Sequence, residues 1–245
     1  VLAQVTPHTN PLQGAVRAVV FDIDGTLYPI RRIALRSLPL ISGHLRLFYA
    51  FGKARQALRR ERPGAALRRR QAELVAGSLG IDAGEAAQRI EQVVYGRWPR
   101  CFGRLRPYAG VPQTLAGLRR DGLLLGVVSD SPFTREKLAA LGLGAGWDAI
   151  VSADEAGALK PNREPFLRIA RLLQVAPGEV LFVGNSYQRD VVGAHRAGMR
   201  AAHFTRRPVR AGVAAVSFSR YREFPSVPAP EQSANSAGRV ERHDV

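Results

Sequence analysis

Two carboxylates, Asp22 and Asp24, stand at the end of the apolar run Val19-Val20-Phe21, and Gly25-Thr26 comes directly after them. β-Branched and aromatic residues running into a polar, glycine-containing turn predict a buried strand that ends in the two acids. Like charges so close are costly to hold unless something offsets them, most often a bound cation. In open α/β sheets, ligand chemistry gathers at the C-terminal ends of such strands. The competing reading is a strand leading into a polar turn with an Asp cap.

Further strands are predicted at Leu123 to Val128, which ends at Ser129-Asp130, and at Ala149 to Val151. Others are Val180 to Val183, which ends at Gly184-Asn185, a weaker Ala201 to Phe204, and Ala214 to Phe218. Helical segments lie between them at Val111 to Arg120, Phe133 to Leu141, Arg163 to Leu173 and Tyr187 to Ala197. Strands alternating with helices predict an α/β fold, a doubly wound, Rossmann-like parallel sheet. A chain of 245 residues with 46% hydrophobic side chains is large enough for such a core and an insert.

Residues 31–106 interrupt the alternation. Leu38, Ile41, Leu45 and Phe48 have helical spacing, as do Ala86, Ile90, Val93 and Arg97-Trp98. Asp82 with Glu85 has the spacing of a capping box, and Gly52, Pro63-Gly64 and Gly80 punctuate the stretch. The segment is expected to be a small all-helical cap over the strand ends. The core is then 15–30 with 107–224, and Pro225 to Val245, rich in Pro, Ser and Ala, is expected to be a disordered tail.

The net charge is +16, and of 36 basic residues only Lys53, Lys137 and Lys160 are lysines. Residues 31–106 carry 17 basic and 5 acidic side chains, a net of +12, against +4 for the rest. Charge concentrated in one segment points to an anionic partner or substrate. Val1 to Gly14 lacks the features of a signal peptide, and no apolar run is long enough for a membrane span, so a cytoplasmic location is expected. The lone Cys101 excludes an internal disulfide and reads as a packed small residue.

Four predicted strand ends carry polar groups: Asp22 and Asp24; Ser129 and Asp130; Lys160 in Leu159-Lys160-Pro161-Asn162; and Asn185 with Asp190. A carboxylate nucleophile, a second carboxyl, a hydroxyl, a lysine and a metal-binding acid suffice for phosphoryl transfer. In order and placement, Phe21-Asp22-Ile23-Asp24-Gly25-Thr26-Leu27, Val127-Val128-Ser129-Asp130, Lys160-Pro161 with Phe166, and Val183-Gly184-Asn185 to Asp190 resemble the four motifs of the haloacid dehalogenase-like superfamily. The insert resembles its helical cap.

The resemblance implies a role for each position. Asp22 would attack phosphorus and form an aspartyl-phosphate. Asp24 would protonate the leaving oxygen and later deprotonate water, its backbone carbonyl facing the metal. Ser129 and the backbone N–H of Asp130 would hold the phosphoryl oxygens, in a pocket that includes Gly25 and Thr26. Lys160 would neutralise charge around Asp22 and the phosphate. Asp190 would bind Mg2+ beside Asp22 and Asp24. The fourth motif usually has Asp where this chain has Asn185, which offers a carbonyl oxygen without charge. Ser186 reads as a helix cap, and His195 and His203 as structural residues.

The expected function is a Mg2+-dependent phosphatase for a small anionic phosphorylated metabolite. An acid at Asp24 sets it apart from the dehalogenases, which need no leaving-group protonation. A phosphomutase is the alternative enzyme. A binding protein on the same scaffold is the alternative of another class: Leu35, Leu38, Leu45, Leu47, Phe48 and Phe51 are interleaved with arginines that could meet an anionic membrane surface. Against it stands the expectation that the cap helix packs its apolar face. Nucleic acid is not expected, for no recognition motif is visible. The sequence leaves the oligomeric state open.

Overall fold

The computed structural model describes residues 16–206 and 212–227. Six parallel strands form one sheet in the order β3-β2-β1-β4-β5-β6. They are β1 (Ala18–Phe21), β2 (Leu124–Ser129), β3 (Ala149–Ser152), β4 (Val180–Gly184), β5 (Arg200–Phe204) and β6 (Val216–Phe218). β1 is central: Phe21 is level with Val127 of β2 on one side and Val183 of β4 on the other.

Alternate side chains of each strand enter two separate cores, as the two-residue period of a strand requires. Val19, Phe21, Leu125, Val127, Leu181 and Val183 pack on one face. Ala18, Val20, Val128, Val180 and Phe182 pack on the other. Helix α5 (Val111–Arg120) precedes β2, α6 (Thr134–Ala140) precedes β3, and the short α7 (Ala153–Ala156) with α8 (Arg163–Leu173) connects β3 to β4. α8 buries Pro165, Phe166, Ile169, Ala170 and Leu173. Gly126 lets it come close, since a Cβ there would lie 3.1 Å from Val20 and 3.2 Å from Ile169 and Leu173. After β4 a wide π-type turn (Tyr187–Val191) leads into α9 (Val192–Arg196).

Between β1 and α5 the chain is helical: α1 (Arg31–Gly43), α2 (Leu45–Leu58), α3 (Leu67–Leu79) and α4 (Ala83–Arg89), which continues as a π-type turn through Tyr95. This is the helical cap on the Rossmann-like core. Gly80 ends α3 with a left-handed φ of 68°. The Asp82 carboxylate caps α4 through the amides of Gly84 and Glu85, but Glu85 pairs with Arg89 and leaves the box half formed.

Several local expectations are corrected. Gly52 lies inside α2 and punctuates nothing. The run Leu38, Ile41, Leu45, Phe48 is no single helical face, because His44 breaks it with φ −135° and leaves Leu38 and Leu45 exposed. Cys101 is half-buried. The packed chain extends past Phe224, for Val227 is buried against the core; residues 228–245 lie outside the described residues.

Cap and core meet partly backbone to backbone. Gly64 N–H donates to the Gly157 carbonyl at 3.0 Å. A Cβ on Gly157 would fall 2.6 Å from the Gly64 carbonyl carbon, so no side chain fits there.

Candidate active site

The register of β1, β2 and β4 sets Asp22, Ser129-Asp130 and Gly184-Asn185 side by side at one sheet edge. The Asp22 N–H donates to the Val183 carbonyl, so the last ladder bond of β1 fixes the backbone under the first acid. Gly25 turns the chain with a φ of 86°; a Cβ there would strike the Asn185 amide at 2.4 Å. It therefore makes room for the opposite loop.

A cleft of about 210 Å³ opens between this edge and the cap. Asp22, Asp24, Lys160 and Asp190 line it with Asp130, Ser131 and Lys137. The cap contributes Phe51, Arg55, Arg59 and Trp98.

Lys160 is buried, with its ammonium 2.7 Å from Asp22 Oδ1 and 2.7 Å from Asp190 Oδ1. It lies over the Phe182 ring. Removing an ammonium from water is expensive, and two carboxylates offset that cost only with close contacts such as these. Burial works against the charged lysine, but Asp190 and Asp22 outweigh it and hold its pKa above the usual range. Asp22 is raised to about 7, mainly by burial; Lys160 opposes the rise and Asp190 adds to it. Its second oxygen accepts a 2.8 Å bond from the Thr26 hydroxyl.

Asp24 has a different environment. Lys137 Nζ lies 2.8 and 2.6 Å from its two oxygens, and the Tyr28 hydroxyl donates to it as well. Burial raises its pKa, but the Lys137 charge and these hydrogen bonds prevail and hold it below the ordinary range. The two acids, two residues apart, thus each have a buried lysine of their own.

Other predicted positions differ from expectation. Thr26 is fully buried and braces Asp22 rather than facing the cleft. Ser129 is also buried, its Oγ accepting the Ser131 N–H, and Ser131 is the serine on the cleft wall. The Asp130 carboxylate does not face the cleft as a free anion: it accepts Lys160 N–H at 2.9 Å and pairs with Arg59 of the cap. Burial opposes its ionisation, yet Lys160 and Arg59 hold its pKa low. It fastens cap to core, helped by Arg55 donating to its carbonyl and Arg59 to the Lys160 carbonyl. Ser186 occupies the helix-start position without a side-chain cap; the Asp190 carboxylate takes the Ser186 N–H instead, at 2.8 Å. His195 is exposed, while His203 lies 3.2 Å from the Asn185 carbonyl and packs on Tyr187.

The residues fit a hard cation of the Mg2+ type. Asp190 Oδ1 is buried and, apart from its contact with the ammonium, accepts no well-directed hydrogen bond. Among the described residues no three His, Cys, Asp or Glu side chains converge on a metal site. The donors would then be two carboxylates, Asp22 and Asp190, with carbonyl oxygens from the Asp24 backbone and from Asn185, whose Oδ1 lies 3.3 Å from the Thr26 hydroxyl. Mg2+ commonly takes one or two carboxylates, with water and phosphate completing its shell. The Asp24 side chain is engaged by Lys137 and Tyr28, so any contribution from this residue falls to its backbone.

Residues 16–198 match the family model of the haloacid dehalogenase-like hydrolases. The chain belongs to that family. It is 31% identical over 192 residues to the glyceraldehyde 3-phosphate phosphatase of Methanopyrus kandleri, covering 75% of this chain and 82% of the relative. It is 28% identical over 207 residues to the phosphoglycolate phosphatase of Shigella dysenteriae, covering 78% and 81%. A crystal structure of a HAD phosphatase from Thermococcus onnurineus superimposes with a TM-score of 0.56 at 26% identity, covering 84% of this chain and 95% of that one.

Lys137 and Tyr28 are site residues that motif reading misses. Lys137 carries the same signal as Lys160, a lysine in a chain that otherwise uses arginine.

Proposed function

We propose that this hydrolase is a Mg2+-dependent phosphatase that cleaves a small phosphate monoester through an aspartyl-phosphate on Asp22. The observation that carries the reading is the pair of acids with separate lysines in one cleft. The Lys160 ammonium against Asp22 suits a nucleophile that attacks as an anion, while Lys137 and Tyr28 hold Asp24 on the cleft wall, placed to exchange a proton with the leaving oxygen and with water. The relatives named as phosphatases support the same reaction class.

Asp22 attacks phosphorus, and the bond from phosphorus to the ester oxygen breaks. Asp24 gives its proton to that oxygen as the alcohol leaves. The carboxylate then takes a proton from water as the water attacks phosphorus, and the phosphorus–Asp22 bond breaks to release phosphate. Lys160 holds Asp22 and offsets the negative charge of the transferring group. Asp22, Asp190, the Asn185 side-chain oxygen and the Asp24 carbonyl would hold Mg2+. The cation would neutralise phosphate charge and let an anionic nucleophile approach. Arg55, Arg59 and Trp98 on the cap bound the space for the leaving group. The test is phosphate release from a panel of phosphorylated metabolites with Mg2+; a folded protein that releases none would overturn the reading.

Two expected results refine it. Asn185→Asp adds a charge to the cation site and is expected to lower the Mg2+ concentration for half-maximal release by about tenfold. An unchanged Mg2+ requirement would remove Asn185 from the site. Lys137→Met is expected to reduce kcat by about tenfold to a hundredfold with KM little altered. Its pH–rate profile should move to higher pH, because Asp24 loses the cation that stabilises its ionised form. A profile and kcat like those of the parent would show that Lys137 merely fills space.

A further inference from the structure

We propose that the outer face of α1 and α2 docks the protein on an anionic membrane surface. Of seven large exposed apolar side chains among the described residues, five fall in one stretch: Ile30, Leu35, Leu38, Leu45 and Tyr49, each more than half exposed. Leu35 and Leu38 are three apart on α1, and Leu45 and Tyr49 four apart on α2, so each pair shares a side of its helix. Packing does not account for them. Ile33, Ser37, Leu47, Ala50, Phe51 and Ala54 on the same helices provide the buried contacts.

Charge identifies the occupant. From Gly25 to Arg60 there are eight Arg and Lys residues and no Asp or Glu. Arg55 and Arg59 turn inward to Asp130, and Arg36 donates to the Phe102 and Arg104 carbonyls. Arg31, Arg32, Arg46, Lys53 and Arg60 remain exposed. Apolar side chains beside unopposed cations suit helices lying in the plane of an anionic bilayer interface. A second copy of this chain would bring the same positive face against itself. A nucleic-acid backbone would satisfy the arginines but leave four aliphatic side chains in water. No helix among the described residues is long and apolar enough to cross a membrane, so contact is with the surface. Ile30 belongs both to this face and to the cleft wall, so docking brings the cleft mouth beside the lipid.

The test is co-sedimentation of the full chain with phosphatidylserine-rich and with pure phosphatidylcholine vesicles, at low and high salt. Binding is expected to the anionic vesicles only, weakening as salt rises. Two double variants, L38D/L45D and R32E/R46E, avoid the cleft. Each is expected to keep the circular dichroism spectrum and phosphate release from a soluble substrate, and to lose vesicle partitioning by at least about tenfold. No sedimentation with anionic vesicles, or sedimentation untouched by both variants, would overturn the proposal. So would a lipid-free dimer that L38D/L45D dissociates, or retention by nucleic acid without vesicle binding. None of these outcomes depends on the phosphatase reading.

Discussion

Replacing Asp22 by Asn is expected to reduce phosphate release at least about a thousandfold while leaving the protein folded. Asn has nearly the same volume, keeps an oxygen toward Lys160 and turns its amide N–H toward the Thr26 Oγ, which can accept as well as donate, so the packing around it survives. The anionic oxygen that bonds to phosphorus disappears. Lys160 keeps its partner in Asp190 and is not left as a lone buried charge. The measurement is phosphate release beside a melting curve of the same preparation. Activity within tenfold of the parent, at an unchanged melting temperature, would exclude Asp22 as the nucleophile.

Lys160→Met should have a second large effect, on stability as well as rate. The ammonium is the cation between two buried carboxylates, and its loss leaves like charges facing each other. Breaking such a buried arrangement costs about 3–5 kcal/mol. The pH dependence has a definite sign. Asp22 binds its proton more tightly in the folded protein, at about 7, than the ordinary 3.8. A carboxyl raised in this way lowers stability as pH rises from the unfolded value through the folded one. Without Lys160 the folded value rises further, so the loss should be small near pH 4 and grow across neutrality. Urea melts of metal-free protein at several pH values would show this, and added Mg2+ should restore part of the stability if the carboxylates hold a cation. A loss independent of both pH and Mg2+ would mean that Lys160 acts through packing alone.

β1 to β4 were legible in the sequence because each is a short run rich in β-branched, Leu or aromatic side chains with little polar interruption, as burial of a parallel sheet on both faces demands, whereas β5, with Arg200 and His203 around two alanines, carries a weaker signal. Asp22, Asp24, Lys160 and Asp190 were legible for a related reason. Each lies just past such a run or near one, and a parallel sheet brings the ends of its strands to one edge. Other features depended on distant contacts. Asp130 stands at a strand end just as Asp22 does, but its role is decided by Arg59 and by the Lys160 amide. Thr26 and Ser129 are polar residues in motif positions, and only the packed structure shows that they are covered. The apolar spacing of Leu38 and Leu45 suggests a packed face, yet spacing does not say whether anything lies opposite. Lys137 sits on a helix with no motif around it, and Asp24 reaches it from across the cleft.

The Gly64–Gly157 contact has an evolutionary consequence. A lid that shuts partly through two backbones places little demand on the amino acids around it. Substitution at cleft positions such as Phe51 and Trp98 leaves that seam untouched, so the space for a leaving group can change shape without redesigning the contact. The constraint falls instead on a residue that touches no substrate: any side chain at Gly157 would wedge the seam apart, whichever leaving group the cleft had come to accept.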